Sequence, residues 1–311
     1  MKVILIILLI LILIFLIGEY YIYLRIFKNN RKKPLPEGHF GDGEFDQKIK
    51  EMTEALDEIP CERIRATAYD GLRLCARYYE GTDPVNVDIC FHGYKGSATR
   101  DYCAIGKYLI DKGHQVILVH ERAHSKSEGR TICYGIKERY DVLTWVNYAI
   151  RRFGENIRIN IYGISMGGAT VLMASGLDLP DNVTAILADC PYSSAQDVIN
   201  NTAHDMGLPD KALSPFIYLA GLIYGSVNIK KTTAAEEVKK TKVPILIIHG
   251  DADTLVPPYM SEEVEKANPD MVERHLIKGA DHGISYMVDK KRYLEIVEAF
   301  LARVNAQEKA E

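Results

Sequence analysis

No CxxC pair occurs among the six cysteines of this chain, and no cysteine lies at zinc-finger spacing from a histidine. The sequence therefore does not predict a structural zinc site of the common types. Cys90 and Cys190 fall inside apolar runs, which favours buried free thiols, although the even count permits disulfides. The other four are Cys61, Cys75, Cys103 and Cys133.

The chain also lacks a strong positive charge, an internal repeat and a low-complexity tract. Its formal net charge is −4, whereas proteins that bind nucleic acid usually carry a broad basic surface, so we exclude that class. Neither a phosphate-binding glycine loop nor a cluster of metal-ligand residues is visible in the sequence. No cofactor and no metal ion is therefore predicted.

One long apolar run is present, at the N-terminus. Residues 3–17 are fifteen consecutive apolar residues, and residues 3–24 reach the length of about 20 that a membrane-spanning helix needs. Glu19 and the tyrosines after it are then expected at the membrane interface. A cleaved signal peptide is the alternative, but bulky tyrosines rather than a small-x-small cleavage site follow the run. We predict a retained anchor over residues 1–27 and a polar linker over residues 28–43.

The charges around this run give two answers about membrane orientation. Lys2 and the amino terminus precede the run, and five basic residues follow it: Arg25, Lys28, Arg31, Lys32 and Lys33. The positive-inside rule then favours a cytoplasmic position for the rest of the chain. A short charged N-terminal tail also resembles an export signal-anchor, which gives the opposite orientation. We predict a single-pass protein of the cell membrane and favour the cytoplasmic side.

Strand and helix patterns alternate over residues 44–311, a length of about 270 residues that is enough for one large domain. The near-continuous apolar strands indicate a mostly parallel sheet with helices on both faces, which is the α/β class. A hairpin around Asp70-Gly71 is predicted to pair residues 63–68 with 72–79. Further strands are predicted at 87–91, 115–120, 157–162, 183–188, 243–248 and 273–277, and helices at 44–57, 102–111, 136–153, 167–175 and 286–305.

One segment interrupts this alternation. More than 50 residues without a strand pattern separate Asp189 from Val243, and residues 214–224 (SPFIYLAGLIY) are apolar and helix-like. An insertion of this length inside a compact domain is often a functional lid, and a helix or two packed on the sheet edge is the structural alternative. We predict a small helical lid over about residues 192–240.

The most specific motif is Gly163-Ile164-Ser165-Met166-Gly167, which has the G-x-S-x-G spacing. It follows a predicted strand and opens a predicted helix, where the serine of such a motif lies on a tight turn flanked by small residues. The turn exposes the serine Oγ above a helix N-terminus, which favours developing negative charge. A purely structural Gly/Ser turn is the alternative. The context favours a nucleophilic serine at residue 165.

With this motif, residues 60–303 resemble the α/β-hydrolase superfamily, and within it the bacterial membrane-anchored hydrolases near serine aminopeptidase-like and lipase-like members. The resemblance implies the chain order serine, acid, histidine. His282, in Gly279-Ala280-Asp281-His282-Gly283, is then the base, and Asp253 is the acid, because residues 249–257 match the pattern H-G-x-x-D-x-x-V-P. Asp251 and Asp189 are the competing acids. His92, His120, His124, His249 and His275 are expected to be structural or solvated.

The resemblance also implies an oxyanion hole made of two backbone N–H groups, those of Met166 and Tyr94. One departure concerns the motif D-x-R-G-H-G-x-S of many relatives, which here reads H-E-R-A-H-S-K-S over residues 120–127. The aspartate and both glycines are changed, and these positions are mainly structural. The departure therefore weakens a close subfamily assignment rather than the catalytic interpretation.

These residues predict a serine hydrolase that cleaves an acyl bond, most simply a carboxylic ester, through a Ser165–His282–Asp253 triad and an acyl-enzyme. The expected substrate is a small acyl compound, and the apolar anchor and lid favour a lipid-like one. A serine aminopeptidase is the alternative enzyme. A membrane-tethered binding protein on the same scaffold is the alternative from another class, but the complete residue set argues against it.

Overall fold

The computed structural model describes residues 1–29 and 43–308, and within them eight strands form one sheet. The strands are β1 (Glu62–Thr67), β2 (Arg73–Tyr79), β3 (Asn86–Phe91), β4 (Gln115–His120), β5 (Arg158–Ile164), β6 (Val183–Asp189), β7 (Ile245–Gly250) and β8 (Val272–Ile277). Their order in the sheet is β1-β2-β4-β3-β5-β6-β7-β8; β1 pairs with β2 and β2 with β4 in antiparallel fashion, and the other neighbours are parallel.

Helices cover both faces of this sheet. They are α1 (Lys2–Ile26), α2 (Asp46–Glu58), α3 (Ala98–Asp101), α4 (Ile105–Asp111), α5 (Glu138–Phe153), α6 (Met166–Ala174), α7 (Ala195–Asp205), α8 (Asp210–Ala220), α9 (Ala234–Glu237), α10 (Tyr259–Ala267), α11 (Ser285–Val288) and α12 (Lys290–Glu308). Helices α5 and α6 contribute to one apolar core, through Val146 and Leu172 among others. Helices α4 and α12 contribute to the core on the opposite face, through Leu109 and Val297.

The central strands are buried on both faces because helices cover them. All residues of β4, β6 and β7 are buried, which explains their continuous apolar runs in the sequence. The mostly parallel sheet and the antiparallel hairpin at β1 and β2 agree with the sequence prediction. All six cysteines are unpaired thiols, and all except Cys61 are buried.

One predicted helix begins later than expected, and another is divided into two. The helix predicted over residues 102–111 begins only at Ile105, because the buried Tyr102 is turned inward to donate a hydrogen bond of 3.0 Å to the Phe91 carbonyl oxygen. The helix predicted over residues 286–305 is interrupted at Asp289. There the Asp289 carboxylate accepts a 2.9 Å hydrogen bond from the N–H of Arg292 and caps α12.

Helix α1 has an exposed half and a packed half. It is long and apolar enough to cross a membrane, a property that a signal sequence shares. Its last turns pack on the domain: Tyr23 is 7% exposed, and Phe27, which follows the helix, is completely buried. Most of the predicted linker, residues 30–42, lies outside the described residues. Lys28, at its start, pairs with Thr131 in an isolated β-bridge.

The predicted lid segment lies between β6 and β7 and is helical. It contains α7, α8 and α9, and α8 continues into a π-helical turn, Gly221–Gly225. The Arg139 side chain of α5 forms a 2.9 Å ion pair with Glu237, which joins the end of this segment to the domain.

Candidate active site

Ser165 lies on a sharp turn between β5 and α6. Its backbone φ is +55°, a region that L-residues rarely occupy and that costs on the order of 1–3 kcal/mol. The turn is possible because the flanking residues are small: an ideal Cβ on Gly163 would lie 2.3 Å from the Gly167 carbonyl oxygen. A Cβ on Gly167 would lie 1.9 Å from the Phe91 carbonyl oxygen. The sequence thus forces a tight turn that presents Ser165 at the carboxyl end of the sheet.

Three side chains that are distant in the sequence come together at this turn. The Ser165 hydroxyl donates a hydrogen bond of 2.8 Å to Nε2 of His282. Nδ1–H of His282 donates a hydrogen bond of 2.8 Å to Oδ2 of Asp253. Their residues are 8%, 2% and 4% exposed, respectively, so the hydrogen bonds are shielded from water. The arrangement allows an imidazole to remove a proton from an alcohol.

The Asp253 carboxylate is held by several donors. Oδ1 accepts hydrogen bonds from the N–H groups of Leu255 (3.0 Å) and Val256 (2.8 Å). Oδ2 accepts a second imidazole hydrogen bond, from Nε2 of His249 at 3.1 Å. Burial alone would raise the pKa of Asp253, but the charge of His282 and the hydrogen bonds from both histidines hold that pKa well below its ordinary value. Asp253 is therefore a fixed anion behind His282.

The electrostatics at His282 follow from this anion. Burial would lower the pKa of the imidazole, but the charge of Asp253 and its hydrogen bond outweigh burial and raise the pKa above 6.5. Asp253 thus stabilises an imidazolium at residue 282.

The two competing carboxylates lie elsewhere. Asp251 accepts a 2.6 Å hydrogen bond from the N–H of Gly279, so it joins the two loops after β7 and β8. Asp189 ends β6, and its backbone oxygen accepts a 2.8 Å hydrogen bond from the N–H of Ser165. Burial raises the pKa of the Asp189 carboxyl to about 6, and Tyr293 is its hydrogen-bond partner. Of the three candidate acids, Asp253 is the one that contacts His282.

The loop after β3, residues 92–97, is the β3 loop, and it contains Tyr94. It passes close to the serine, since an ideal Cβ on Gly93 would lie 3.3 Å from the Ser165 Cβ. The Gly93 N–H donates to Asp101 (2.8 Å), and the Lys95 N–H donates to Nε2 of His124 (3.1 Å). Met166 is the first residue of α6, where the helix N–H groups have no acceptor within the helix.

The altered motif over residues 120–127 contacts the β3 loop, α5 and the hairpin of β1 and β2. His124 accepts a hydrogen bond from the Lys95 N–H, and the buried Arg122 guanidinium forms ion pairs with the buried Asp141 (2.6 Å) and the exposed Asp70 (2.8 Å). The Ser127 Oγ accepts a 2.8 Å hydrogen bond from the Cys75 N–H. The three residues retained from the family pattern thus have structural contacts.

Three features of the site were not predicted from the sequence. His249 donates a hydrogen bond to the same carboxylate as His282. The signal for this contact was the H-G-x-x-D pattern, in which the histidine comes four residues before Asp253. Sγ of Cys190 lies 4.0 Å from Nε2 of His282. The Tyr94 hydroxyl donates a 2.7 Å hydrogen bond to the Ile26 carbonyl oxygen in α1, a contact without any sequence signal.

Among the residues that the structure describes, one group of side chains has ligand atoms close enough together to hold a metal ion. Ligand atoms of Cys190, Asp253 and His282 lie within 4.8 Å of one another. Both ring nitrogens of His282 already have hydrogen-bond partners, Ser165 and Asp253, so a metal would have to replace one of them.

Comparison with known proteins agrees with this fold. The family model of the α/β-hydrolase fold matches residues 89–217. YqkD of Bacillus subtilis (strain 168) is 25% identical over 227 residues, which are 72% of this chain and 73% of YqkD. YfhR of Escherichia coli (strain K12) is 24% identical over 233 residues, 73% of this chain and 75% of YfhR.

Solved structures with the same fold include an esterase and a peptidase. Esterase Pf2001 of Pyrococcus furiosus has a TM-score of 0.66 and 22% identity, with 80% of this chain and 93% of that chain covered. An acylaminoacyl peptidase of Pyrococcus horikoshii has a TM-score of 0.59 and 18% identity, covering 79% of this chain and 41% of the peptidase. The matched family model and these structures confirm the predicted α/β-hydrolase fold class and support a hydrolase.

Proposed function

We propose that the protein is a serine hydrolase that cleaves an acyl bond through a triad of Ser165, His282 and Asp253. The hydrogen-bonded series from the Ser165 hydroxyl through both nitrogens of His282 to the Asp253 carboxylate carries the proposal. Buried groups in such an order have the geometry that a nucleophile, a base and an orienting acid need.

In the proposed mechanism, Ser165 Oγ attacks the substrate carbonyl carbon while His282 Nε2 takes the hydroxyl proton. The imidazolium then gives that proton to the leaving group, and the acyl group stays on Ser165. Water, activated by the same imidazole, attacks the acyl-enzyme and releases the acid. Asp253 keeps Nδ1 protonated and stabilises the imidazolium throughout.

The developing oxyanion needs donors that are in place before the reaction. We assign this role to the backbone N–H groups of Met166 and Tyr94. The position of Met166 at the start of α6 and the close approach of Gly93 to Ser165 support the assignment.

We propose a carboxylic ester as the substrate, with an apolar and lipid-like acyl chain. The esterase among the structural neighbours and the apolar surface of α8 support an ester. A peptidase is the second candidate, because an acylaminoacyl peptidase has the same fold. p-Nitrophenyl esters of graded chain length and peptide anilides distinguish the two. A strict preference for acetyl would contradict a lipid-like chain, and anilide cleavage with negligible esterase activity would favour the peptidase.

We also propose that α1 is a retained membrane anchor and that the segment between β6 and β7 is a lid. A cleaved leader would remove part of the core, since Tyr23 is buried and its hydroxyl is 3.1 Å from Oγ1 of Thr131. Mass spectrometry of protein extracted from membranes tests retention, because a loss of residues 1–26 would contradict it. We favour the cytoplasmic side, which reporter fusions at the C-terminus would test.

Labelling by a fluorophosphonate probe tests the triad directly. The wild-type protein should be labelled, and Ser165→Ala should not. Ser97→Ala is the control, because Ser97 lies in the β3 loop and caps α3 without contacting His282. Folded wild-type protein that resists the probe would favour a non-catalytic binding protein on this scaffold.

A further inference from the structure

Helix α8 and the π-helical turn after it present an apolar surface to the outside of the domain. A surface helix of a soluble protein normally carries polar residues on its outer face. Here Phe216, Leu222 and Ile223 are 42%, 37% and 47% exposed. The exposed residues of this surface, which we call the lid face, are Ala212, Pro215, Phe216, Leu222 and Ile223. A contiguous apolar surface of this kind indicates an interaction site.

The lid face is continuous with the exposed half of α1. The Phe15 and Phe216 rings lie 6.4 Å apart, and the Tyr224 hydroxyl donates a 2.8 Å hydrogen bond to the Leu16 carbonyl oxygen. Close packing fixes the two helices together, since an ideal Cβ on Gly221 would lie 3.0 Å from the Phe27 ring. Whatever surrounds the exposed half of α1 therefore also meets the lid face.

The length of α1 sets the depth of this contact. Lys2 and Phe15 are thirteen residues apart, which is about 20 Å at a rise of 1.5 Å per residue. The hydrocarbon core of a bilayer is about 30 Å thick. If Lys2 lies at the far boundary, about 10 Å of hydrocarbon remains at the level where Phe216 contacts Phe15. The part of the lid face from Phe216 to Ile223 extends about 10 Å along its helix, which is about the same depth.

Basic side chains lie around the end of α1, where the headgroups of such a bilayer would be. The Lys95 ammonium donates a 3.2 Å hydrogen bond to the Arg25 carbonyl oxygen, and Arg25 and Lys28 are exposed. A further cation, Lys230, borders the lid face itself, where its ammonium lies 4.8 Å from the Tyr218 ring centroid on α8. These cations complement anionic lipid headgroups.

We infer that the lid face is a second membrane-contacting surface, which lies in the bilayer beside the anchor and holds the lid at the lipid. The inference rests on the proposed membrane anchor. It commits to lipid as the occupant, because the lid face continues the exposed surface of α1 and basic residues border it. A substrate dissolved in the bilayer would then meet the lid without first entering water.

Tryptophan quenching in vesicles tests the inference on the full chain. The protein has one tryptophan, Trp145, which is completely buried and provides a constant background. Phe216→Trp and Ile223→Trp report on the lid face, and Leu9→Trp reports on the anchor. Val85→Trp is the matched control, since Val85 is 38% exposed and precedes β3 at the end of the sheet opposite to Ser165. The vesicles contain phosphatidylcholine and phosphatidylglycerol, with or without bromine on the acyl chains.

We expect brominated lipid to quench the indoles at residues 216 and 223 at least about half as strongly as the indole at residue 9. Interfacial helices insert by about 5–10 Å, which brings their apolar side chains to the brominated acyl chains. The control at residue 85 should stay unquenched. Quenching at residue 9 alone would overturn the inference and leave the anchor standing. Indoles at 216 and 223 that are shielded from aqueous iodide but not quenched by lipid would indicate a second copy or another protein, which also overturns it. A lack of quenching at residue 9 would overturn the anchor and the inference together.

Discussion

The phenolic hydroxyl of Tyr94 donates a 2.7 Å hydrogen bond to the carbonyl oxygen of Ile26, the last residue of α1. The last carbonyl groups of a helix have no donor within the helix, so they accept side-chain donors readily. Tyr134 donates to the same oxygen at 3.2 Å, and its ring stacks on that of Tyr94 at 5.2 Å. The end of the proposed anchor is thus joined to the residue whose N–H is the proposed oxyanion donor.

This contact predicts that the side chain of Tyr94 positions the β3 loop for catalysis. Tyr94→Phe removes the hydrogen bond to Ile26 and leaves the backbone N–H in place. A typical hydrogen bond contributes about 0.5–1.5 kcal/mol, so we expect kcat to fall about three- to tenfold with little change in KM. Steady-state kinetics with a short p-nitrophenyl ester measure both constants.

Tyr134→Phe is the matched control, because Tyr134 loses a hydrogen bond to the same acceptor and has no proposed oxyanion N–H. Both variants should lower the melting temperature by similar small amounts, and only Tyr94→Phe should lower kcat. Equal losses of kcat in the two variants would show that the contact stabilises the fold without positioning the β3 loop.

Two of the candidate acids, Asp253 and Asp189, predict different kinetic effects. Asp253→Asn removes the negative charge behind His282 and permits the wrong tautomer, which in a serine triad lowers kcat about ten-thousand-fold. Asp189→Asn should lower kcat by less than about tenfold, because Asp253 is the carboxylate that accepts the His282 hydrogen bond and the Asp189 carboxyl is paired with Tyr293. Kinetics of both variants measure the difference. A larger loss in Asp189→Asn would reassign the acid.

Activity should fall with decreasing pH through the pKa of His282. The imidazole must be neutral to accept the Ser165 proton, and the Asp253 anion raises the pKa of His282 above 6.5. The acid limb of kcat/KM, which reports the free enzyme, should therefore have its midpoint above about 6.5. Residual activity of Asp253→Asn should show this limb at lower pH, since the anion is removed. A wild-type midpoint below that of a free imidazole would contradict the proposed base.

The sequence predicted the sheet, the turn at Ser165 and the positions of His282 and Asp253, because each depends on local pattern and chain order. It did not predict the contact between Tyr94 and Ile26, which joins a side chain to a backbone oxygen 68 residues away. Backbone acceptors carry no residue signature, so such contacts are visible only after folding. The break at Tyr102 was missed for a similar reason, since the hydrogen bond to Phe91 is made across the fold.

The turn that carries Ser165 predicts unequal tolerance at two adjacent glycines. Gly167→Ala places a Cβ 1.9 Å from the backbone oxygen of Phe91, so β3 and α6 must move apart. Gly168→Ala places a Cβ 3.1 Å from the backbone oxygen of Asp189, which a shift of a few tenths of an ångström relieves. We expect Gly167→Ala to lower the free energy of unfolding by more than about 3 kcal/mol and Gly168→Ala by about 1 kcal/mol. Urea unfolding measures both, and probe labelling should be lost only in Gly167→Ala. Equal stability of the two variants would contradict the close approach of α6 to β3, on which the geometry of the Ser165 turn depends.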